Sequence, residues 1–212
     1  MTSPDTEFIR ILGASGGAGT ARSSAKTVPE VLPVLGLSDI VIFPGMVAPL
    51  LVETAQSIRL IDDVVEGDRL LAVVLQKNAE DQNPMPEELR EHGCAVRVLK
   101  MMKFPDNTVR ILIEGLWRIR IRDYETLSPY LRAHVEVMKD VMDPSVEMVA
   151  LTRNAHQQFQ EIIKLSPSMS EQVKVAALNT DAPGTLSDII ATNLNLSLEE
   201  RQQLIQDRKS VV

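Results

Sequence analysis

The chain has 212 residues, of which 44% are apolar and only 3% aromatic, and its 22 basic and 29 acidic residues give a formal net charge of −7. This acidic balance argues against a dedicated nucleic-acid binder, because such proteins carry a basic surface. Cys94 is the single cysteine, which excludes an intramolecular disulfide and a cysteine-based metal cluster. No apolar run approaches the ~20 residues that cross a bilayer.

Residues 1–29 differ in composition from the rest of the chain. They contain few large apolar side chains and a cluster of glycines at positions 13, 16, 17 and 19. A phosphate-binding loop needs Lys and then Ser or Thr directly after its last glycine, whereas Thr20 and Ala21 follow here. The composition therefore predicts a flexible leader, because it offers too little apolar surface to offset the entropy of ordering.

Residues 30–140 show mainly the patterns of β-strands. The apolar run at 69–76 has the length of a strand that is buried on both faces. Trp117, Ile119 and Ile121 alternate with arginines, which is typical of a half-buried strand. Pro33, Pro44 and Pro49 divide the apolar stretch 32–50 into short extended pieces, since proline lacks an N–H, and predict edge strands and bends.

One helix and one tight turn are predicted within this β region. Thr54 is a suitable N-cap, and Ile58, Ile61 and Val65 follow at helical spacing. The segment 104–108 lies between two apolar runs and has the composition of a hairpin turn. Several strands around one helix predict a small, partly closed β-barrel or sheet domain.

Residues 141–212 change to a helical period. Each of four short amphipathic segments begins at a helix-start signal: Asp143-Pro144, Ser168 with Glu171, Asp181-Ala182-Pro183, and Ser197 with Glu200. We expect these helices to pack as a bundle. The predicted fold class is thus α+β, with a flexible leader at 1–29, a β domain at 30–140 and a helical bundle at 141–212.

Four apolar side chains near predicted turns are candidates for binding polypeptide. They are Met46, Met101, Met102 and Phe104. Methionine is flexible and polarizable, so it adapts to varied apolar partners. The alternative interpretation of each of the four is ordinary core packing.

A ladder of arginines offers a second, different hypothesis. Arg118, Arg120 and Arg122 lie on one face of a predicted strand and, with Lys100 and Lys103, could contact RNA phosphates. The alternative is a solvated strand face, paired across the sheet with glutamates, and the acidic net charge and the scarcity of aromatics for base stacking favour it. The candidate glutamates are Glu114, Glu125 and Glu136.

The histidines and serines of the sequence do not form the patterns typical of metal sites or catalytic centres. The histidines, at positions 92, 134 and 156, lie on different predicted elements, without the paired spacing of metal ligands. We expect them to be exposed. The sequence lacks a phosphate-binding loop and a nucleophile-elbow serine, so we predict neither catalytic nor cofactor-binding nor metal-ligating residues.

Several short motifs, in order, resemble one known family. They are the stretch 32–50 with its three prolines, Gln76-Lys77 after a buried strand, Gly93-Cys94-Ala95-Val96, Phe104-Pro105-Asp106-Asn107-Thr108 and Ile113-Glu114-Gly115-Leu116-Trp117-Arg118. Together they resemble the N-terminal substrate-recognition domain of Lon-type ATP-dependent serine proteases, over residues 30 to 206.

The resemblance implies a PUA-like β domain joined to a helical bundle, which binds unfolded or damaged proteins and is not itself catalytic. It further implies a cytoplasmic parent protease that uses ATP and Mg²⁺, assembles as a homo-hexamer, and degrades misfolded, damaged and short-lived regulatory proteins. In that setting this chain would be an N-terminal fragment without a cofactor of its own. Two alternatives remain open: a free-standing polypeptide-binding protein made of this domain alone, and an RNA-binding PUA-like module.

Overall fold

The computed structural model describes residues 28–138, 145–165, 171–180 and 182–207. The predicted leader therefore lies almost entirely outside the described residues, as do the predicted helix-start residues Asp143, Ser168 and Asp181. Within the described ranges, a mixed β-sheet is followed by helices, as expected for the α+β class. The described elements are strands β1 (Val31–Leu37), β2 (Val47–Val52), β3 (Leu70–Gln76), β4 (Leu89–Lys103), β5 (Val109–Thr126) and β6 (Arg132–Val137), and helices α1 (Ala55–Glu66), α2 (Val146–Leu165), α3 (Glu171–Leu178), α4 (Pro183–Asn193) and α5 (Leu198–Gln206).

The sheet closes on itself through its longest strand. Its order is β2-β5-β4-β3-β1-β6, and β6 also pairs with β5. The first half of β5 pairs with β2 and its second half with β6. Five strands thus form a small closed barrel, and β2 extends the sheet beside it as an edge strand.

The prediction that the prolines of the first strands lie in edge strands is only partly confirmed. Pro49 lies in β2, which is an edge strand as expected. Pro33 lies in β1, which is not an edge strand, because it pairs with both β3 and β6. The missing N–H of Pro33 is tolerated since the pairing with β3 starts one residue later, at Val34.

Strand β3 is buried on both faces, as its continuous apolar run predicted. Its side chains contribute alternately to two core layers. Val73 belongs to the layer that also contains Leu60, Ile61 and Val64 of helix α1, whereas Ala72 belongs to the layer with Ile119 and Ile121 of β5. The sheet is therefore sandwiched between two apolar layers over the length of β3.

Local signals place the helix and the turn where they were predicted. The Ser57 N–H donates to the Thr54 hydroxyl at 3.2 Å, which caps α1. Strands β4 and β5 are joined by the turn at 104–108, in which Asn107 has a φ of 62°. Asn tolerates this left-handed conformation better than most residues do.

The described helices after the barrel form a small cluster of their own. Phe159 and Ile163 of α2 pack with Ala177 of α3, beside Ile189 and Ile190 of α4. Helix α5 begins with the predicted capping box: the Ser197 N–H donates to the Glu200 carboxylate at 2.8 Å, and the Glu200 N–H donates to the Ser197 hydroxyl at 3.3 Å. The predicted boundary at residue 140 lies in the gap between the described ranges and stays a prediction.

Helices α4 and α5 contact the barrel through polar side chains. Arg118 of β5 forms an ion pair with Asp188 of α4. The side-chain amide of Gln202 in α5 donates to the carbonyl oxygen of His92 in β4 at 3.1 Å. Arg90 pairs with Glu199 at 2.9 Å. The helical part is thereby anchored to the end of the barrel formed by β4 and β5.

Candidate functional site

One face of the sheet formed by β2, β5 and β4 carries apolar side chains that face solvent. Side chains of β2 alternate, so Ala48, Leu50 and Val52 enter the core while Val47 and Leu51 remain 51% and 53% exposed. Cross-strand neighbours share a face, so the register extends this surface onto β5 and β4. We call it the outer β2–β5–β4 face; it consists of Val47, Pro49, Leu51, Arg97, Leu99, Lys100, Met102, Arg110, Leu112 and Glu114, with Phe104 at its end.

The position of β2 at the sheet edge explains why these side chains are exposed. Among the described residues, β2 pairs with β5 alone. The amide of Gly115 donates to the carbonyl of Met46 at 2.8 Å. Backbone groups alternate in direction along a strand, so those of residues 47, 49 and 51 point away from β5. Pro49 has no N–H to offer there, and the outward edge of β2 therefore lacks a donor at its centre.

A bulge in β4 adds one more apolar side chain beside this face. The register between β4 and β5 shifts between Val98 and Lys100. Val98 remains in the core, while Leu99 is 39% exposed. A regular strand would turn Leu99 outward and Lys100 toward the core, after Val98. The extra residue of the bulge turns Lys100 outward as well, so that both side chains are exposed.

The charges on the outer face are mostly positive. Arg97, Lys100 and Arg110 lie on it, and Glu114 is its acidic member, opposite Arg97 in the register. The Arg110 guanidinium lies 4.9 Å from the centre of the Phe104 ring, within the range of a cation–π contact. The face therefore combines an apolar surface with basic groups, in a chain whose net charge is −7.

The structure separates the four predicted binding residues. Met102 and Phe104 lie on or beside the outer face and are half-buried. Met46 and Met101 pack against the core layer that contains Ile111. Met101 is opposite Ile111, whereas the Met46 carbonyl bonds Gly115, four residues further along β5. Two of the four thus fit the core-packing alternative, and a binding role for any of them stays a prediction.

Sequence reasoning missed Val47, Leu51 and Leu99, although the first two carried a usable signal. Val47, Pro49 and Leu51 are all apolar, and so are the residues between them, so β2 reads as a strand buried on both faces. Its position at an edge, which exposes one of those faces, depends on pairing with β5 more than fifty residues later. Proline at the centre of the run was the available indication of an edge.

The arginine ladder is engaged in ion pairs. Arg118 pairs with Asp188, Arg120 with Glu91 at 2.9 Å, and Arg122 with Glu136. The predicted pairing with Glu136 is confirmed. The pairing with Glu125 is wrong, because Glu125 forms its ion pair with Arg132, at an N–O distance of 3.3 Å.

Arg118 also departs from the predicted solvated face, since 11% of its side chain is exposed. The register between β4 and β5 shifts at Leu116. After this bulge Arg118 reaches Phe43, whose ring centre is 6.0 Å from the guanidinium. Helices α4 and α5 then cover it, and Glu114 is not its partner.

The histidines and the cysteine do not form a reactive cluster. Within the described ranges, no group of three or more His, Cys, Asp or Glu side chains is arranged to hold a metal ion. The expectation of exposed histidines is wrong, because His92, His134 and His156 are all half-buried, and His156 contacts the carbonyl oxygen of Ala177. Burial raises the pKa of the Cys94 thiol to about 12, which suppresses its nucleophilic form.

A polar cleft of about 220 Å³ lies at the other end of β2. Its walls come from the end of β1, the first turn of α1 and the loop after β3, and include Ser38, Thr54, Gln76, Glu80 and Asn83. The Thr54 hydroxyl already caps α1.

No described helix is both long and apolar enough to cross a membrane.

One known protein family matches most of this chain. The family described as "ATP-dependent protease La (LON) substrate-binding domain" matches residues 31–209. Among curated proteins, the chain is 35% identical over 184 residues to the Lon protease of Dictyoglomus thermophilum, and 37% identical over 185 residues to that of Roseiflexus castenholzii. Each alignment covers 87% of this chain but 23% of the relative. The chain thus spans less than a quarter of the length of these relatives.

Solved structures of other proteins share this fold. The N-terminal domain of a Mycobacterium avium complex Lon protease superposes with a TM-score of 0.66 at 18% identity, covering 84% of this chain and 93% of that one. A Lon N-terminal domain protein from Xanthomonas campestris gives a TM-score of 0.57 at 18% identity, covering 84% and 90%. Both likenesses concern the arrangement of the strands and helices described above.

Proposed function

Since the chain belongs to the family of LON substrate-binding domains, we propose that it recognises polypeptides that expose apolar residues, and that it does so as the N-terminal part of a larger protease. The observation that carries this proposal is the match of the family over residues 31–209 together with an exposed apolar sheet face. Monomeric proteins rarely leave contiguous apolar surface in water without a partner for it.

The outer β2–β5–β4 face suits weak and adaptable binding. Val47 and Leu51 project from an edge strand, and Met102 adds a flexible side chain beside them. Burying a few hundred Å² of apolar surface at ~25 cal/mol per Å² offers several kcal/mol before the costs of association are subtracted. The affinity for a single unfolded segment is then micromolar or weaker, which becomes useful when several copies act together.

The larger protein is part of the same proposal. The curated relatives, all named Lon protease, are over four times longer than the matched region. We propose that a following ATPase and serine peptidase module, dependent on ATP and Mg²⁺, degrades the misfolded, damaged or short-lived regulatory proteins that this domain recruits. A homo-hexameric ring in the cytoplasm would bring several copies to one entrance, while the 212-residue chain itself would be inert as an enzyme.

Two other functions compete with this proposal. A free-standing Lon-domain protein would use the same face without a protease, and the gene sequence downstream of residue 212 distinguishes it by whether a phosphate-binding loop follows. An RNA-binding module would need accessible cations and stacking surfaces. The ion pairs of Arg118, Arg120 and Arg122 offer little support for RNA binding at the ladder.

The experiment that tests polypeptide recognition compares two double variants of the 212-residue chain. Val47→Ser with Leu51→Ser removes apolar surface from the outer face. Val149→Ser with Val175→Ser removes apolar side chains of similar exposure, 45% and 55%, from helices α2 and α3. We expect denatured casein to bind the wild type and the helix variant alike, and the face variant more weakly by about fivefold or more. Equal binding by all three proteins would remove this face from the proposal.

A further inference from the structure

We propose that the outer β2–β5–β4 face selects extended segments in which apolar residues are flanked by acidic ones, and that it holds them through side chains rather than by adding a strand to β2. This inference rests on the proposed function and specifies its substrate.

The charges lie within the apolar surface and not at a distance from it. Leu112 lies at the centre of the face, between Pro49 of β2 and Lys100 of β4, and these neighbours leave 9% of it exposed. The next outward residue of β5 is Arg110, opposite Leu51 on one side and Met102 on the other. A segment that covers Leu51, Leu112 and Met102 therefore places its neighbouring residues beside Lys100 and Arg110.

The edge of β2 is a poor template for another strand. An added strand would bond to the outward backbone groups of residues 47, 49 and 51, and the middle one has no N–H to donate. The missing N–H of Pro49 does not affect the side chains on the face. A bound segment is therefore expected to lie across the sheet surface, where selectivity comes from side-chain chemistry.

The dimensions fit a short extended segment. Adjacent strands are about 4.8 Å apart and successive outward residues about 6.6 Å apart, so three strands and three outward positions span roughly 10 by 13 Å. An extended peptide covers that length with about four residues. Acidic residues immediately before or after an apolar core of this size therefore fall within reach of Lys100 or Arg110.

Nucleic acid is a less suitable occupant of the same face. Single strands bind where aromatic rings stack on successive bases. Phe104 is the aromatic member of the face, and Arg110 already lies over its ring. Val47 and Leu51 offer aliphatic surface, which suits apolar side chains of a polypeptide.

The test uses three labelled peptides with one apolar core of Leu, Val and Phe, flanked at both ends by Glu, by Gln or by Lys. Binding to the 212-residue chain is measured by fluorescence anisotropy at low and at high salt. We expect the Glu-flanked peptide to bind about three- to tenfold more tightly than the Lys-flanked one at low salt. The difference should largely disappear at ~1 M salt, where exposed charges are screened, while the apolar part of the affinity persists.

A pair of charge-reversal variants tests whether Lys100 causes the preference for acidic flanks. Lys100→Glu places an anion on the face, whereas Lys164→Glu makes the same change of net charge at an exposed position of α2. The Lys100 variant should lose or invert the preference for acidic flanks, and the Lys164 variant should keep it. Equal affinities for the three peptides, or an unchanged preference in the Lys100 variant, would overturn the proposal.

The remaining outcomes separate this inference from the proposed function. If casein binding is lost in the Val47→Ser and Leu51→Ser variant but the three peptides bind equally, polypeptide recognition stands and the acidic preference fails. If single-stranded RNA binds more tightly than the Glu-flanked peptide and Lys100→Glu abolishes it, the occupant is nucleic acid and the proposal fails. Failure also follows if the chain forms a dimer that the same serine variant disperses and neither casein nor any peptide binds, because the face then joins two copies of this chain.

Discussion

Arg118 on β5 and Asp188 on α4 form an ion pair between residues seventy positions apart in sequence, and each side chain has 11% of its surface exposed. The same guanidinium donates to the carbonyl oxygen of Leu204 in α5 at 3.0 Å. One side chain of the barrel therefore contacts two helices at once. The position of the helical part depends on this arginine more than on any of its exposed neighbours in the ladder.

Replacing Arg118 by Met should destabilise the protein strongly, because the buried Asp188 carboxylate loses the guanidinium with which it pairs. Breaking a buried pair in this way costs about 3–5 kcal/mol. At roughly 2–4 °C per kcal/mol for a chain of this size, the thermal midpoint should fall by about 6–20 °C. The measurement is thermal unfolding followed by circular dichroism.

The matched control for that experiment is Arg120→Met. Arg120 and its partner Glu91 are 43% and 63% exposed, and exposed pairs contribute less than about 1 kcal/mol. A midpoint shift as large as that of Arg118→Met would contradict the role assigned to the buried pair.

Gly115 lies where β5 passes the chain just before β2, and Gly115→Ala should be destabilising. An added Cβ would overlap the carbonyl oxygen of Phe43, which is fixed backbone. Forcing atoms into a packed interior costs about 1–3 kcal/mol. Gly67→Ala is the control, since its Cβ would meet the nearest backbone oxygen at an ordinary 3.5 Å. Chemical denaturation should show a lower midpoint for the first variant only.

Met101 and Met102 are neighbours in β4 but should respond differently to replacement by serine. Met101 packs against the core layer, so Met101→Ser should cost about 1–3 kcal/mol of stability, below the loss for a fully enclosed side chain. Met102 faces outward, so Met102→Ser should cost under about 1 kcal/mol and should weaken casein binding. Urea titrations together with the binding assay measure both effects. Similar stability losses in the two variants would contradict the assigned faces.

Cys94 should resist alkylation in the folded protein. Burial raises the pKa of its thiol from 9.0 to about 12. At pH 9 about one folded molecule in a thousand carries the reactive thiolate, against half of the unfolded molecules. Iodoacetamide should therefore modify the native chain far more slowly than the chain in guanidinium chloride. Rapid modification of the native chain at pH 9 would show that the thiol is accessible.

The same pKa difference predicts how stability changes with pH. Above pH 9 the unfolded chain loses the thiol proton while the folded chain keeps it, so stability falls as the pH rises from 9 toward 12. Below pH 9 both states hold the proton and the contribution is constant. Cys94→Ala should have a shallower decline over that interval, which urea titrations at several pH values measure. Parallel declines of the two proteins would exclude this contribution.

Local signals in the sequence were sufficient for several elements of the fold. The cap at Thr54, the Ser197–Glu200 capping box and the turn at Asn107 depend on residues within four positions of each other, so their chemistry is visible in the sequence. The run at 69–76 also predicted a strand buried on both faces, because such strands are continuously apolar.

Features that depend on distant pairing could not be predicted in the same way. The exposed face of β2, the barrel closure through β5 and β6, and the partner of Arg118 each join segments far apart in sequence. Two bulges in the β4–β5 ladder also shift which residues face the core. Period-2 alternation assumes a regular strand, so it would turn Lys100 toward the core after Val98, whereas the bulge leaves it exposed. Arg118 lies on the face that alternation assigned to it, but helices α4 and α5 cover that face.

Pro49 has a consequence for the behaviour of the protein at high concentration. An apolar strand at a sheet edge is the usual starting point for aggregation, because each molecule can extend the sheet of the next. Because a proline lies at the centre of the outward edge, an added strand could bond to only one outward residue on either side of it. Pro49 therefore opposes edge-to-edge association of β2, although this strand exposes Val47 and Leu51 to water.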